Sequence, residues 1–178
     1  MKKLVLVILA VLLMSVLVAC GSKSIEEIEG NTYECARFSA KCPAGWINVP
    51  VKDSNDKVVS DQLRFFKMEV AEGEDPGNRV YSNAYVDIAC NNAFADGKTK
   101  ENTKNDSSYK NVEDIELEIK DKKWKGISGE YTSGRKTVYL WLESAPEWWI
   151  TLSLYDVDGN LDYNDVEIQA ILDSLQKK

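Results

Sequence analysis

Two neighbouring strands are encoded by residues 136–156, KTVYLWLESAPEWWITLSLYD. Strict alternation of aliphatic with other residues is typical of a strand with one buried face. The short SAPEW connection between the two segments predicts an antiparallel hairpin. The aliphatic positions, expected to face a core, are Val138, Leu140 and Leu142 on the first strand and Ile150, Leu152 and Leu154 on the second.

The same period continues upstream of this hairpin. Ile115, Leu117 and Ile119 alternate with glutamates, and a segment at 80–90 places Ala84, Val86 and Ile88 on one face. Residues 61–70 predict another strand, and residues 32–51 predict two short strands around a Pro43-Ala44-Gly45 turn. Residues 96–111 contain one tyrosine and no aliphatic residue, so they predict an exposed loop or a solvated helix.

The C-terminal segment changes period and predicts a helix. Ile168, Ile171, Leu172 and Leu175 follow the spacing of one helical face. Asn164 with Glu167 three residues later resembles a capping box. The chain is therefore expected to form a single α+β domain, a mainly antiparallel β-sheet packed by helices.

The N-terminus predicts export and lipid attachment. Lys2 and Lys3 precede an unbroken apolar stretch at residues 4–19, which is too short to span a bilayer and is typical of a secretory signal peptide. The four residues 17–20, LVAC, resemble the lipobox of bacterial lipoproteins, a family in which a diacylglyceryl group is attached to the cysteine. Residues 1–19 are thus expected to be a lipoprotein signal peptide, 20–31 the lipidated Cys20 with a polar tether, and 32–178 the domain.

Net charge restricts the partners. The chain carries 22 basic and 29 acidic residues, a net charge of −7. Binding to nucleic acid depends mainly on neutralising phosphates, so an acidic chain argues against nucleic acid as a partner. The expected location is the extracytoplasmic face of the cell membrane, held by the diacylglyceryl group on Cys20.

Three cysteines remain beside Cys20, namely Cys35, Cys42 and Cys90. An odd number allows at most one internal disulfide. All three pairings stay open on spacing alone, as does the alternative that the three are small buried apolar residues.

Histidine is absent from the sequence, which removes the commonest general base and metal ligand. Serine–histidine and cysteine–histidine nucleophile pairs are excluded within the chain, and no glycine-rich phosphate loop is present. We therefore expect no enzymatic activity and no cofactor.

Aromatic residues mark the second face of the hairpin. Tyr139, Trp141, Trp149 and Tyr155 lie opposite the aliphatic face, and Trp124 and Trp148 are expected nearby. This face is either covered by a helix or loop, or exposed as a platform for a glycan, a peptide or a partner protein.

An acidic stretch follows the hairpin. Asp156, Asp158, Asn160 and Glu167 match a calcium-loop pattern and form a weak calcium candidate. Such a loop needs glycine at its sixth position, where this chain has Leu161, and a strand rather than a helix precedes it. The stretch is better explained as a turn leading into the last helix.

Several segments together resemble the PsbP-like α/β/α sandwich superfamily. They are FSAKCPAGW with Pro43, Gly45 and Trp46, the late strand pair, and a last helix that ends in Ser174-Leu175. The resemblance covers residues 32–176 and implies helices packed on the sheet. The family has no common catalytic residues and its members look like binding or assembly factors. Together these features predict a membrane-anchored, non-enzymatic binding or assembly module for a protein or envelope partner. The alternative is a calcium- or carboxylate-dependent enzyme or metal-switched binder centred on Asp156–Glu167.

Overall fold

The computed structural model describes residues 23–71, 74–77, 82–91, 104–145, 148–156, 159 and 161–178. The predicted signal peptide and Cys20 lie outside these ranges. Within them, no helix combines the length and the apolar character that crossing a bilayer requires.

The described residues form ten strands and one α-helix. The strands are β1 (Gly30–Glu34), β2 (Phe38–Pro43), β3 (Ile47–Asn48), β4 (Gln62–Phe66), β5 (Tyr85–Asn91), β6 (Tyr109–Ile119), β7 (Lys122–Tyr131), β8 (Lys136–Ala145), β9 (Trp148–Asp156) and β10 (Gln176–Lys177). The helix α1 spans Val166–Ser174, and a 3-10 helix spans Ile25–Glu27.

The strands divide into two antiparallel sheets. The large sheet has seven strands in the order β3-β4-β5-β9-β8-β7-β6, and the small sheet has three in the order β1-β2-β10. The predicted hairpin of β8 and β9 is confirmed, and it pairs Leu140 with Leu152 at its centre. Strand β5 continues this row by pairing Ile88 with Leu152.

One face of the large sheet is the core face. Leu140, Leu152 and Ile88 are 0% exposed, and burying a side chain of this size contributes about 1.5–3 kcal/mol. The small sheet and α1 cover this face, because Phe38 of β2 and Ile171 of α1 belong to the same buried cluster. The inward positions predicted from period two are therefore confirmed.

The α+β class and the mainly antiparallel sheet are also confirmed. Helices cover less of the core face than predicted. The described ranges contain one α-helix of nine residues, and strands β1, β2 and β10 form the rest of the layer on the core face.

The two strands predicted around the Pro43-Ala44-Gly45 turn are confirmed as β2 and β3, and β1 is an additional strand. Residues 32–51 contain parts of three strands, and the turn after Pro43 connects β2 of the small sheet to β3 of the large one. Gly45 adopts φ +82° in this turn, a conformation that favours glycine. Strand β1 begins at Gly30, and Ile28 is buried at 7% exposure, so the ordered body starts ahead of residue 32.

The segment predicted as a loop or solvated helix differs in part. Residues 96–103 lie outside the description, residues 104–105 are helical and residues 104–107 are exposed, as predicted, but residues 109–111 are the first residues of β6. The prediction was wrong for these three residues because Tyr109 pairs across the sheet with Tyr131 and packs on its ring. An aromatic contact to the neighbouring strand therefore stabilises strand structure in a segment that has no aliphatic residue of its own.

Helix α1 is confirmed, but its predicted cap is wrong. The N-cap residue is Asp165 rather than Asn164. The Asp165 carboxylate accepts a hydrogen bond from the backbone N–H of Asp162 at 2.8 Å. The Glu167 carboxylate is not used as a cap, because it pairs with the Lys67 ammonium at 2.8 Å.

Two lysines of the β6–β7 turn hold the C-terminal end of α1. The Lys122 ammonium donates hydrogen bonds to the carbonyls of Asp173 and Leu175, where the helix dipole favours a cation. The Lys120 ammonium pairs with Asp173 at 2.7 Å and with Glu26 of the 3-10 helix at 3.2 Å. This turn therefore connects the large sheet, α1 and the 3-10 helix.

The three cysteines of the domain are free thiols. Cys42 and Cys90 are buried and Cys35 is half-buried. Burial raises the pKa of the Cys42 thiol to about 12 and also raises the pKa of Cys90. The sequence left open three disulfide pairings and the alternative of free thiols. In the structure no disulfide joins these three cysteines.

Thiol titration of the domain 21–178, which lacks Cys20, tests this arrangement. Since the thiolate is the reactive form and needs access to reagent, one thiol equivalent, Cys35, should react with Ellman's reagent under native conditions. All three should react in denaturant. Fewer than three equivalents in denaturant without reductant would reveal a disulfide and contradict the free thiols.

Candidate functional site

The second face of the large sheet carries a set of aromatic side chains, and we call it the aromatic face. Strand pairing places its members on one side, since residues opposite each other in a sheet point the same way. They are Phe66, Tyr85, Tyr109, Tyr131, Tyr139, Trp141 and Tyr155.

The row begins at the β4 side of the sheet. The Phe66 and Tyr85 ring centroids lie 4.9 Å apart, and the Tyr85 and Tyr155 rings stack at 4.6 Å. Stacked or tilted pairs at such distances contribute about 0.5–1.5 kcal/mol beyond their burial. Strands β4, β5 and β9 are thus joined through rings as well as through backbone hydrogen bonds.

The row continues towards β6 through tyrosine hydroxyls. The Tyr139 and Tyr109 hydroxyls lie 3.4 Å apart and share a hydrogen bond in which either can donate, and Tyr155 interacts electrostatically with Tyr139. The Tyr109 and Tyr131 rings meet edge to face, with centroids 5.3 Å apart. Contacts between aromatic side chains therefore cross six of the seven strands.

Burial sets the charge state of this row. Burial raises the pKa of Tyr139, and the hydrogen bond with Tyr109 raises it further. Burial also raises the pKa of Tyr155, and the neighbouring Asp87 carboxylate adds to the effect. The hydroxyls consequently stay neutral at physiological pH, where each can both donate and accept a hydrogen bond.

An ion pair borders the row. The Arg64 guanidinium binds the Asp87 carboxylate through two nitrogens, with Nη2 at 2.8 Å from Oδ2. The same guanidinium lies 5.3 Å from the Tyr85 ring centroid, within cation–π range. The two side chains are 20% and 26% exposed, so the pair fixes charges at a partly shielded position of the aromatic face.

Exposure changes along the aromatic face. Phe66 is 0% exposed and Tyr131 is 40% exposed. Tyr139, Trp141 and Tyr155 are half-buried. The most accessible ring of the aromatic face is therefore that of Tyr131 on strand β7, and Tyr139, Trp141 and Tyr155 are each accessible in part.

The structure brings together three of the four predicted binding residues. Tyr139, Trp141 and Tyr155 share the aromatic face, whereas the side chain of Trp149 lies outside the described residues, as does that of Trp148. Trp124, expected near the row, is buried on the opposite face at 1% exposure. The reason is parity: its strand places position 124 with the core-facing Gly126, opposite Leu140.

Sequence reasoning missed four members of the row, Phe66, Tyr85, Tyr109 and Tyr131. Tyr85 immediately precedes the predicted inward position Val86, and the pattern that found Val86 also places Tyr85 on the other face. Tyr131 follows the same parity from Ile127, which pairs with Tyr139. Tyr109 had no such signal, because it stands at the end of a polar segment.

The calcium candidate does not assemble in the described part of the chain. The Asp156 carboxylate is 3% exposed and accepts the backbone N–H of Gly159 at 2.9 Å, while Glu167 is paired with Lys67. Asp158 and Asn160 lie outside the description. Gly159 rather than Leu161 adopts positive φ, and no three acidic or cysteine residues group as metal ligands in the ranges searched.

Four cavities of about 240 to 340 Å³ lie among the described residues. The largest is polar, with Glu113, Glu130, Lys136 and Asp162 in its wall. None of these four is lined by Tyr139, Trp141 or Tyr155. These three residues of the aromatic face therefore lie outside all four cavities.

Comparison with known proteins gives distant likenesses of fold. No family model matches the chain, and no curated protein matches it either. A Bacteroides thetaiotaomicron protein of known crystal structure is similar at 11% identity and a TM-score of 0.48, over 85% of this chain and 49% of that one. The solution structure of the cyanobacterial PsbP protein CyanoP from Synechocystis is similar at 14% identity and a TM-score of 0.44, over 89% of this chain and 98% of that one. The chain thus spans about half the length of the Bacteroides protein, and no activity or partner follows from either likeness.

Proposed function

We propose that this chain is a lipid-anchored, non-enzymatic binding module with a PsbP-like domain, on the extracytoplasmic face of a bacterial membrane. Its partner is a protein, bound through the aromatic face. The observation that carries the proposal is the row of aromatic side chains that crosses the large sheet and ends at the exposed ring of Tyr131.

The character of the aromatic face supports a protein partner. Tyrosine and tryptophan dominate the energetics of protein interfaces, because they combine a large apolar area with a polar tip. Small ligands and glycans are usually bound in concave sites, and none of the four described cavities is lined by Tyr139, Trp141 or Tyr155. The net charge of −7 disfavours anionic polymers.

Intact mass spectrometry of protein extracted from the membrane fraction tests the anchor. The mature chain should begin at Cys20 and carry a diacylglyceryl group on its sulfur. The Cys20→Ala variant should keep the uncut leader or leave the membrane fraction, because the thiol is the acceptor of the lipid. A mature protein that starts elsewhere without acyl chains would contradict lipid anchoring.

The alternative is a calcium-dependent protein centred on Asp156 and Glu167, favoured only by the sequence pattern. Isothermal titration of the domain 21–178 with calcium distinguishes the two functions. We expect no binding heat and no change in melting temperature at millimolar calcium, because Glu167 is engaged by Lys67. Saturable heat that is lost in an Asp156→Asn variant would favour the alternative.

A further inference from the structure

We infer that the α1 and small-sheet side of the domain faces the bilayer, so that the aromatic face is directed away from it and receives its partner from the aqueous side. This inference rests on the proposed lipid anchor at Cys20. The side of the large sheet on which the anchored chain enters the domain decides which face is turned towards the bilayer.

The first described residue, Lys23, already lies against the layer that covers the core face. It lines a cavity of about 240 Å³ together with Glu27, Pro43, Ala44 and Glu167. These residues belong to the 3-10 helix, to strand β2 and the turn after it, and to α1. The chain therefore enters the domain on the side opposite the aromatic face.

The entry point is fixed to the rest of the domain. The Ser24 backbone N–H donates to the Glu27 carboxylate at 2.7 Å. The Ile28 side chain is buried, and its carbonyl accepts the Lys41 ammonium at 3.2 Å. Glu26 pairs with Lys120 of the β6–β7 turn. Contacts to both sheets thus hold residues 24–28, although this segment was predicted as part of the tether.

The part of the predicted tether ahead of Lys23 is too short to reach round the domain. Cys20 and Lys23 are separated by three residue steps, which span at most about 10 Å when fully extended. Two packed layers of secondary structure are themselves about 10 Å apart, without their outer side chains. A lipid on Cys20 therefore cannot insert on the side of the aromatic face while the 3-10 helix stays docked.

Charge argues against a second mode of membrane contact. Glu27 and Glu29 are exposed around the entry point, and acidic side chains are repelled by anionic lipid headgroups. The acyl chains alone should hold the protein, and the domain should stand off the headgroups rather than bind them.

Site-directed spin labelling of the acylated full-length protein in liposomes tests this orientation. One variant carries the label at Ala44→Cys, an exposed residue beside Lys23, and the other at Lys125→Cys, an exposed residue opposite Trp141 on the aromatic face. With nickel-chelating lipids in the bilayer, we expect several-fold stronger relaxation of the label at residue 44. The protein without added cysteine gives the background from the native thiols.

Equal relaxation at the two sites, or stronger relaxation at residue 125, would overturn the inference. Intact mass of the reconstituted protein is measured first, so that a missing acyl group counts against the anchor and not against the orientation. The unacylated domain 21–178 should not bind vesicles that contain anionic lipid, and binding by that domain would also contradict the inferred arrangement.

Discussion

Replacing Trp124 with alanine should lower the free energy of unfolding by about 3–5 kcal/mol, the usual cost of removing a large buried aromatic side chain. Trp124 is 1% exposed and belongs to the main buried cluster between the large sheet and α1. Urea denaturation of the domain 21–178, followed by circular dichroism, measures the change. The expected loss is a large part of the stability of an ordinary domain.

Trp124→Phe is the matched control for this prediction. The indole N–H is buried without an acceptor among the described residues, so phenylalanine removes an unpaired polar group while it keeps most of the volume. Its loss should be clearly smaller than that of alanine. A loss of about 0.5 kcal/mol or less for Trp124→Ala, the size typical of surface positions, would contradict the assignment of Trp124 to the core face.

Period two predicted most of the large sheet because one of its faces is buried and strand parity is strict. A shift of one residue would move every aliphatic side chain to the wrong face, so the positions of Leu140, Leu152 and Ile88 follow from the pattern. The same parity places Tyr139 and Tyr155 on the aromatic face. Trp124 was expected near the aromatic face because it is aromatic. Its position along the strand, not its residue type, decides the face it occupies, and that is the core face.

Contacts distant in sequence explain the predictions that failed. Glu167 reads locally as part of a capping box, yet its carboxylate pairs with Lys67, which is 100 residues away in the chain. Tyr109 reads as part of a polar loop, yet its ring packs on Tyr131. In both cases a partner on another element decided the outcome, and no local pattern contains that partner.

The sequence predicted the aromatic residues of the candidate site on two strands, but not the row that extends across the other strands. The alternation of β8 and β9 identified Tyr139, Trp141 and Tyr155, which the structure places together. The row that joins them to Tyr85 and Tyr109 depends on strand order, and strand order cannot be derived from the period of a single strand.

The double variant Tyr131→Ala/Trp141→Ala should reduce partner binding by at least about tenfold. Aromatic residues at the centre of protein interfaces often cost 2 kcal/mol or more when they are truncated, and each 1.4 kcal/mol corresponds to a factor of ten in affinity. Tyr131 is 40% exposed and Trp141 is half-buried. Tyr131 is therefore the exposed ring of the aromatic face, and Trp141 adds part of a large indole surface.

The variant should remain folded. Removing the Tyr131 ring deletes its aromatic pair with Tyr109, and such a pair contributes about 0.5–1.5 kcal/mol to stability. Val58→Ala is the control, because Val58 is an exposed hydrophobic residue at 62% exposure that lies outside the seven strands of the large sheet. It should leave both stability and binding unchanged. Urea denaturation of all the proteins excludes unfolding as the cause of lost binding.

The most direct test of the aromatic face is quantitative capture from detergent-solubilised envelopes of the native cells. The immobilised acylated protein, the double variant and Val58→Ala are compared by mass spectrometry of the bound proteins. We predict at least one protein that wild type and Val58→Ala retain equally, and that the double variant retains at least about tenfold less. Equal retention of every captured protein by the double variant, or captured material that is glycan and survives protease treatment, would contradict a protein-binding aromatic face.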